Sequence, residues 1–260
     1  MGNGMIDIEL WRLIAAYVFI VFLIIIVKWR GIAREKLIYI ATLRMTVQLV
    51  MAGYILTIIL KYPHPLLTIV IVILMEVFAI RTIYKQMGEP FSNELKKMIA
   101  YAMASGTLAS ILYFNFIVIH FSPWYDPRYF IPIAGMIIGN SMTAVTLAVK
   151  TLWNDLHHQR DQIEGALMLG ATPKQAVKRY VDHAFDSAIL PTINNMLGMG
   201  IVFLPGMMTG QILSGISPVL AIEYQIAILL GIAGSVSLTV LFLLLFGYRV
   251  FFTKDARLRE

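Results

Sequence analysis

Two ionisable side chains stand well inside long apolar runs of this chain: Glu76, within residues 65–84, and Arg44, within residues 37–60. Charge at such depth is costly, so it marks an ion path, a proton site or an internal pair. The two runs are sequential neighbours and Gln48 lies one turn from Arg44. An Arg44–Glu76 ion pair and a cation- or proton-binding Glu76 are both open readings. Asn140, Ser141 and Thr143 share a further run, and Asn194 and Asn195 share another. Lipid cannot satisfy their polar groups, so they bond a neighbouring helix or face a cavity. Pro205–Gly206 break the run that holds both asparagines, with Gly210 close behind. A broken helix offers carbonyl oxygens to a cation, a hinge for alternating access, or a packing kink. Met196, Met199, Met207 and Met208 gather there too; thioethers suit a soft ion such as Cu(I) and equally serve plain packing.

Other chemistry is excluded or unsupported. Cysteine is absent, which removes disulfides, thiolate metal sites and thiol catalysis. No G-x-x-x-x-G-K-[ST], H-E-x-x-H or G-x-S-x-G motif occurs, so the chain itself binds no ATP phosphates and carries no recognisable hydrolase site. No lysine lies in the last apolar run, which argues against a retinal Schiff base. His157 and His158 read as solvated, His64 and His120 lie near run ends, and no metal-ligand set emerges. The expectation is a non-enzyme.

The elements that must position these residues are membrane spans. The chain is 59% hydrophobic and 14% charged, with mean hydropathy +0.77, a composition that 260 soluble residues do not show. Seven spans are expected, at roughly 8–27, 37–60, 65–84, 97–121, 130–153, 188–213 and 224–248. Seventeen of the 21 Lys and Arg fall in every second gap: 28–36, 81–97, 150–179 and 249–259. That alternation is the positive-inside pattern. It predicts an all-α, polytopic protein of the cell (inner or plasma) membrane with its N-terminus outside and its C-terminus cytoplasmic. Trp29, Tyr62, Trp124, Tyr125 and Trp153 cluster at span ends, as an interfacial belt would. Asp7 and Glu9 before the first run, and Lys28–Arg30 after it, argue for a retained span rather than a cleavable signal. The net charge of +6 is spread over four gaps and fits an anionic leaflet, not nucleic acid. Residues 1–260 read as one transmembrane domain.

The longest cytoplasmic connection, 154–187, looks folded. Residues 161–169 predict a short helix that Gly170 stops in a left-handed conformation. Thr172, Pro173 and Gln175 then spell an N-cap, a first-turn proline and a capping box for a second amphipathic helix. Two helices on the bilayer surface and a docking element for a partner are the open readings.

The stretch from Glu164 to Pro173 resembles the E-A-A-x-x-x-G coupling loop of ABC-transporter permeases. Glu164, Ala166 and Gly170 fit the pattern, while Gly165 replaces an alanine. Pro191–Met196, Leu204–Leu213, Ser217–Pro218, Ala221–Gln225 and Gly139–Met142 resemble the FetB-type permeases linked to iron export and the plant aluminium-tolerance membrane subunits. The resemblance implies a permease subunit, paired as a homodimer with a separate cytoplasmic ATPase that would bind ATP and Mg. It implies export of iron or another metal species. Asp161, Glu164, Gly165, Ala166 and Gly170 would couple to the ATPase. Glu76, Asn140, Ser141, Asn194, Asn195, Pro205, Gly206, Met207, Met208 and Gln211 would line the path. The alternative is an ion-driven secondary transporter with no ATPase.

Overall fold

The computed structural model describes residues 8–88, 92–120 and 122–253. The basic residues Lys254, Arg257 and Arg259, and Asp7 ahead of the first span, lie outside them. The described chain is helical throughout: α1 Leu10–Ala16, α2 Val18–Trp29, α3 Glu35–Lys61, α4 Pro65–Met87, α5 Asn93–Tyr113, α6 Pro127–His158, α7 Arg160–Met168, α8 Pro173–Gly198, α9 Gly206–Leu213 and α10 Pro218–Gly247. A π-helical turn, Phe114–Ile119, extends α5, and a 3-10 turn, Tyr248–Phe251, extends α10.

Helix starts follow local chemistry. The side chains of His64, Ser92, Asp126, Thr172 and Ser217 each accept a backbone N–H of the first turn, and four of the five are followed by proline at the first helical position. Asp126 also accepts from Arg128 Nη2 at 2.7 Å and Nε at 3.1 Å. That grip, opposed by burial, holds its carboxyl below the usual 3.8.

The bundle has two distinct ends. At one, Trp153 of α6 meets Phe251 at 5.9 Å, and a cleft joins Thr172, Pro173 and Lys174 of α8 to Tyr248, Arg249 and Phe252. At the other, Tyr129 of α6 stacks on Tyr224 of α10 at 6.4 Å, and Thr68 of α4 donates to the Tyr125 carbonyl. Lys150, Arg160, Lys174 and Arg249 therefore share one end, as the charge pattern requires.

Buried apolar residues come from α4, α5, α6, α8 and α10, with Ala134, Val145, Ala148, Ala184, Val236 and Val240 fully enclosed. No residue of α1 or α2 is buried, and in α3 only Ile59 is. These two passages lie on the rim, tied by a Tyr17–Thr46 hydroxyl pair at 2.6 Å. Their apolar surface suits lipid as solvent. Small residues bring α5 and α10 together: a Cβ on Gly231 would lie 2.7 Å from the Phe114 ring, and one on Gly106 2.7 Å from the Thr239 Cα.

Among the described residues six helical stretches are long and apolar enough to span a membrane: Leu10–Trp29, Glu35–Lys61, Pro65–Met87, Asn93–Ile119, Pro127–His158 and Pro218–Phe251. The expected span 188–213 is not a single helix. The chain still passes between the two ends there, but as α8, an irregular turn and α9. The charged residues Lys174, Lys178, Arg179, Asp182 and Asp186 occupy the first half of α8, so only its second half is apolar. The connection 154–187 is continuous with the helices on both sides of it. α6 continues to His158 and α8 runs unbroken from Pro173, because no stop signal separates 173 from 198 except Pro191, which the helix absorbs.

Candidate functional site

At the basic end, α7 and its cap form a compact protrusion. Ile163 is buried and anchors α7, while Met168 and Leu169 at its tip are 86% and 91% exposed. Gly170 has φ +92, the left-handed stop expected of it. The Thr172–Gln175 capping box is complete in both directions. Glu164 accepts from Arg160 Nε at 2.8 Å across one turn, a half-exposed pair of modest worth. Asp161 is exposed in the first turn, where a carboxylate complements the helix dipole. Gly165 and Ala166 are half-buried, and a Cβ at Gly165 would meet open space. Behind this element lies a polar cavity of about 430 Å³, lined by Asp155, Gln159, Gln162, Arg179, Tyr180 and His183. His183 Nδ1 and Asp155 Oδ2 are 2.7 Å apart across it.

Within the membrane portion, Glu76 is at the centre of α4, the twelfth of its 23 residues. Its Oε2 lies 3.1 Å from Thr107 Oγ1 on α5, and its Oε1 is buried without a partner. The Arg44–Glu76 ion pair is not formed. The Arg44 guanidinium instead rests 4.8 Å above the Phe78 ring, a cation–π contact on the bundle's outer face. Ser141 is fully buried and pairs with Ser235 of α10 at 3.0 Å, so its hydroxyl ties two helices. Half-buried Asn140 donates back to the Met136 carbonyl at 2.8 Å.

The third region is the interrupted passage. α8 ends at Gly198, seven residues before Pro205, so the break comes earlier than the proline suggests. Gly200, at φ +83, donates its N–H to the Phe203 carbonyl at 3.0 Å and closes a tight turn. Pro205 caps α9 and Gly206 begins it. Met208 is buried, Met207 and Gln211 are half-buried, and Asn194 and Asn195 are exposed on the last turn of α8. Gln225 of α10, 6% exposed, reaches Met199 Sδ at 4.0 Å. Its Oε1 is buried and unpartnered.

Among the described residues no three His, Cys, Asp or Glu side chains gather as a metal site. The sequence did not single out Thr107, Gln225, Ser235 or Thr239. Ser235, Ser237 and Thr239 alternate along one run, Thr107 stands two residues from Ser105, and Gln225 follows Glu223, so spacing alone could not distinguish a pathway residue from a packing one.

The profile of the Uncharacterised protein family UPF0014 matches residues 10–252, almost the whole chain. The chain belongs to that family. UPF0014 members similar to it include the membrane protein YjkA of Bacillus subtilis, 34% identical over 87% of this chain and 88% of the relative. The Probable iron export permease protein FetB of Escherichia coli is 32% identical over 94% and 92%. Protein ALUMINUM SENSITIVE 3 of Arabidopsis thaliana is 35% identical over 63% and 59%. No solved structure matches the chain. Together with the apolar helices, these relatives identify a multi-pass membrane protein.

Proposed function

We propose that this UPF0014 chain is the permease subunit of an ATP-driven transporter that exports a metal species, with a separate cytoplasmic subunit supplying ATP, Mg and hydrolysis. The observation that carries the reading is the α7 protrusion. A short helix, fixed by buried Ile163 at its base and by the capping box behind it, presents bare Met168 and Leu169 beyond the bundle. Exposed apolar tips on rigid helices are suited to insertion into a partner's groove. The FetB relative, a probable iron export permease, supplies the substrate class.

The N-terminus is placed outside and the C-terminus in the cytoplasm, since the basic end faces inward by the charge rule. The ATPase closes on ATP and pushes α7. α8 begins directly after the α7 turn, so the push reaches Asn194 and Asn195 along one continuous helix and passes through the 199–204 turn to the Pro205–Gly206 start of α9. Glu76, Asn140 and Gln211 line the route on the neighbouring elements, with buried Ser141 and Met208 bracing it and Met207 beside it. Two copies face each other across the interrupted passages, which gives the exposed asparagines polar company that lipid would deny them.

The test is ATP hydrolysis by the candidate ATP-binding subunit, with and without this chain in proteoliposomes, under a screen of metal ions. Stimulation that one metal enhances, and that Glu164→Ala and Gly170→Arg diminish, is the expected result. Mid-membrane Glu76 favours a second reading, an ion-driven transporter with no ATPase. Metal flux driven by an ion gradient alone, with no association between the two subunits, would select it.

A further inference from the structure

Hydrogen counting at Glu76 favours the carboxyl as the group that carries a proton. Thr107 Oγ1 lies 2.7 Å from the Met103 carbonyl and 3.1 Å from Glu76 Oε2. A threonine hydroxyl has a single proton to donate. The carbonyl can only accept, and it holds the shorter contact, in the usual back-bond of a helical threonine. Were Glu76 a carboxylate, two acceptors would have to share that single proton in a bifurcated bond, which weakens both contacts. Were it a carboxylic acid, its O–H would donate to Thr107, Thr107 would donate to Met103, and both contacts would be satisfied. The orphaned Oε1 agrees: it would then be a neutral carbonyl oxygen rather than half of a buried, uncompensated anion.

Among the described residues Glu76 has no ion-pair partner that would disturb the count. On the elements packed around it, Arg44 of α3 is engaged with Phe78, and Tyr84 of α4 donates to the Lys96 carbonyl. Arg81 of α4, Tyr101 and Tyr113 of α5, and Tyr129 and Lys150 of α6 also lie on these elements, and the hydrogen bond at the Glu76 carboxyl is to Thr107.

We infer that Glu76 is a neutral, proton-bearing acid, a proton-binding site at the middle of the membrane, and that the transporter releases and regains this proton as α4 and α5 part. The O–H bond of Glu76 breaks, the proton passes to water admitted to the route, and Thr107 keeps its bond to Met103. The proton is thus a second ligand of the protein beside its cargo. The release step rests on the transport reading; the proton assignment does not.

Infrared spectroscopy of the purified chain in lipid vesicles at neutral pH tests the assignment without any transport. The expected spectrum has a protonated-carboxyl carbonyl stretch that Glu76→Gln removes and that Thr107→Val, lacking the acceptor, shifts to higher frequency. A hydrophobic carbodiimide, which attacks protonated carboxyls, should modify Glu76 in the wild-type chain, located by peptide mass. An unmodified Glu76, or no band lost in Glu76→Gln, overturns the assignment. For release, ATPase stimulation in proteoliposomes should vary with pH in the wild type and lose that dependence in Glu76→Gln. An identical pH dependence in both overturns release while leaving the permease reading in place. No stimulation at any pH, with the acid band present, counts against the permease reading instead.

Discussion

Gly106→Ala tests whether close helix contact places Thr107 beside Glu76. A Cβ at position 106 would sit 2.7 Å from the Thr239 Cα and 2.9 Å from its Cβ, where ordinary contact begins at 3.4 Å. A rotamer change can move the Thr239 hydroxyl, which lies nearest, but not the backbone Cα, so α5 must move from α10 by several tenths of an ångström. Overpacking of this kind costs about 1–3 kcal/mol. Alanine's better helix propensity returns up to ~1 kcal/mol. A backbone clash sits at the upper end of that cost, so the net loss is about 2 kcal/mol, or a midpoint lower by roughly 4–8 °C in a chain of this size. Circular dichroism of the detergent-solubilised protein measures it. Thr239→Ala removes the hydroxyl nearest the new Cβ but leaves Cα and Cβ where they are, so it should rescue Gly106→Ala only in part. The displacement carries Thr107 with it, so the carboxyl band of Glu76 should also shift. Wild-type stability in Gly106→Ala, or full rescue by Thr239→Ala, would refute backbone approach as the organising contact.

Gly170→Ala forces a side chain into φ +92 and should cost about 1–2 kcal/mol locally; hydrogen exchange across residues 168–176 should speed up and ATPase stimulation should fall. Gly165→Ala meets open space within α7 and should instead stabilise that helix by up to ~1 kcal/mol, read as slower exchange in the same segment. Asp126→Asn removes the grip of Arg128 on the α6 cap. Because the native carboxyl is held below 3.8, its contribution is complete above that pH and lost as pH falls through the lowered value; the variant's midpoint should lie below wild type at neutral pH and converge with it in acid.

The elements were legible wherever local chemistry decided them. The Gly170 stop and the Thr172 capping box were read from four residue types and stand as expected, because caps depend on neighbours in sequence. The charge alternation found the basic end for the same reason: it reflects insertion rather than packing. The interrupted passage was harder. Pro205–Gly206 announced a break, but the helix stops at Gly198, where the 199–204 turn closes on its own backbone with the Phe203 ring against Gly198. The Arg44–Glu76 pair failed because adjacency of spans says nothing about rotation. Arg44 faces outward over Phe78, while Glu76 turns inward to Thr107, a residue that no sequence spacing connects to it.

Asn194 and Asn195 carry the argument about assembly. Both are exposed at the end of α8 and make no side-chain hydrogen bond, beside a turn whose Ile201 and Val202 are 91% and 80% exposed. An amide left unpaired in an apolar medium costs on the order of several kcal/mol, whereas one facing a second copy or a shared aqueous route does not. Since the chain contains no cysteine, a single introduced thiol reports on its own surroundings. Asn195→Cys should crosslink two copies in native membranes with a short bifunctional thiol reagent, while Val21→Cys, 55% exposed on the rim helix α2, should not. Neither exposed change should alter stability by more than about 0.5 kcal/mol, so a lost crosslink would not reflect misfolding. If Val21→Cys crosslinks and Asn195→Cys stays monomeric, the copies meet through α1–α3, and the interrupted passage must find its polar partners within a single chain.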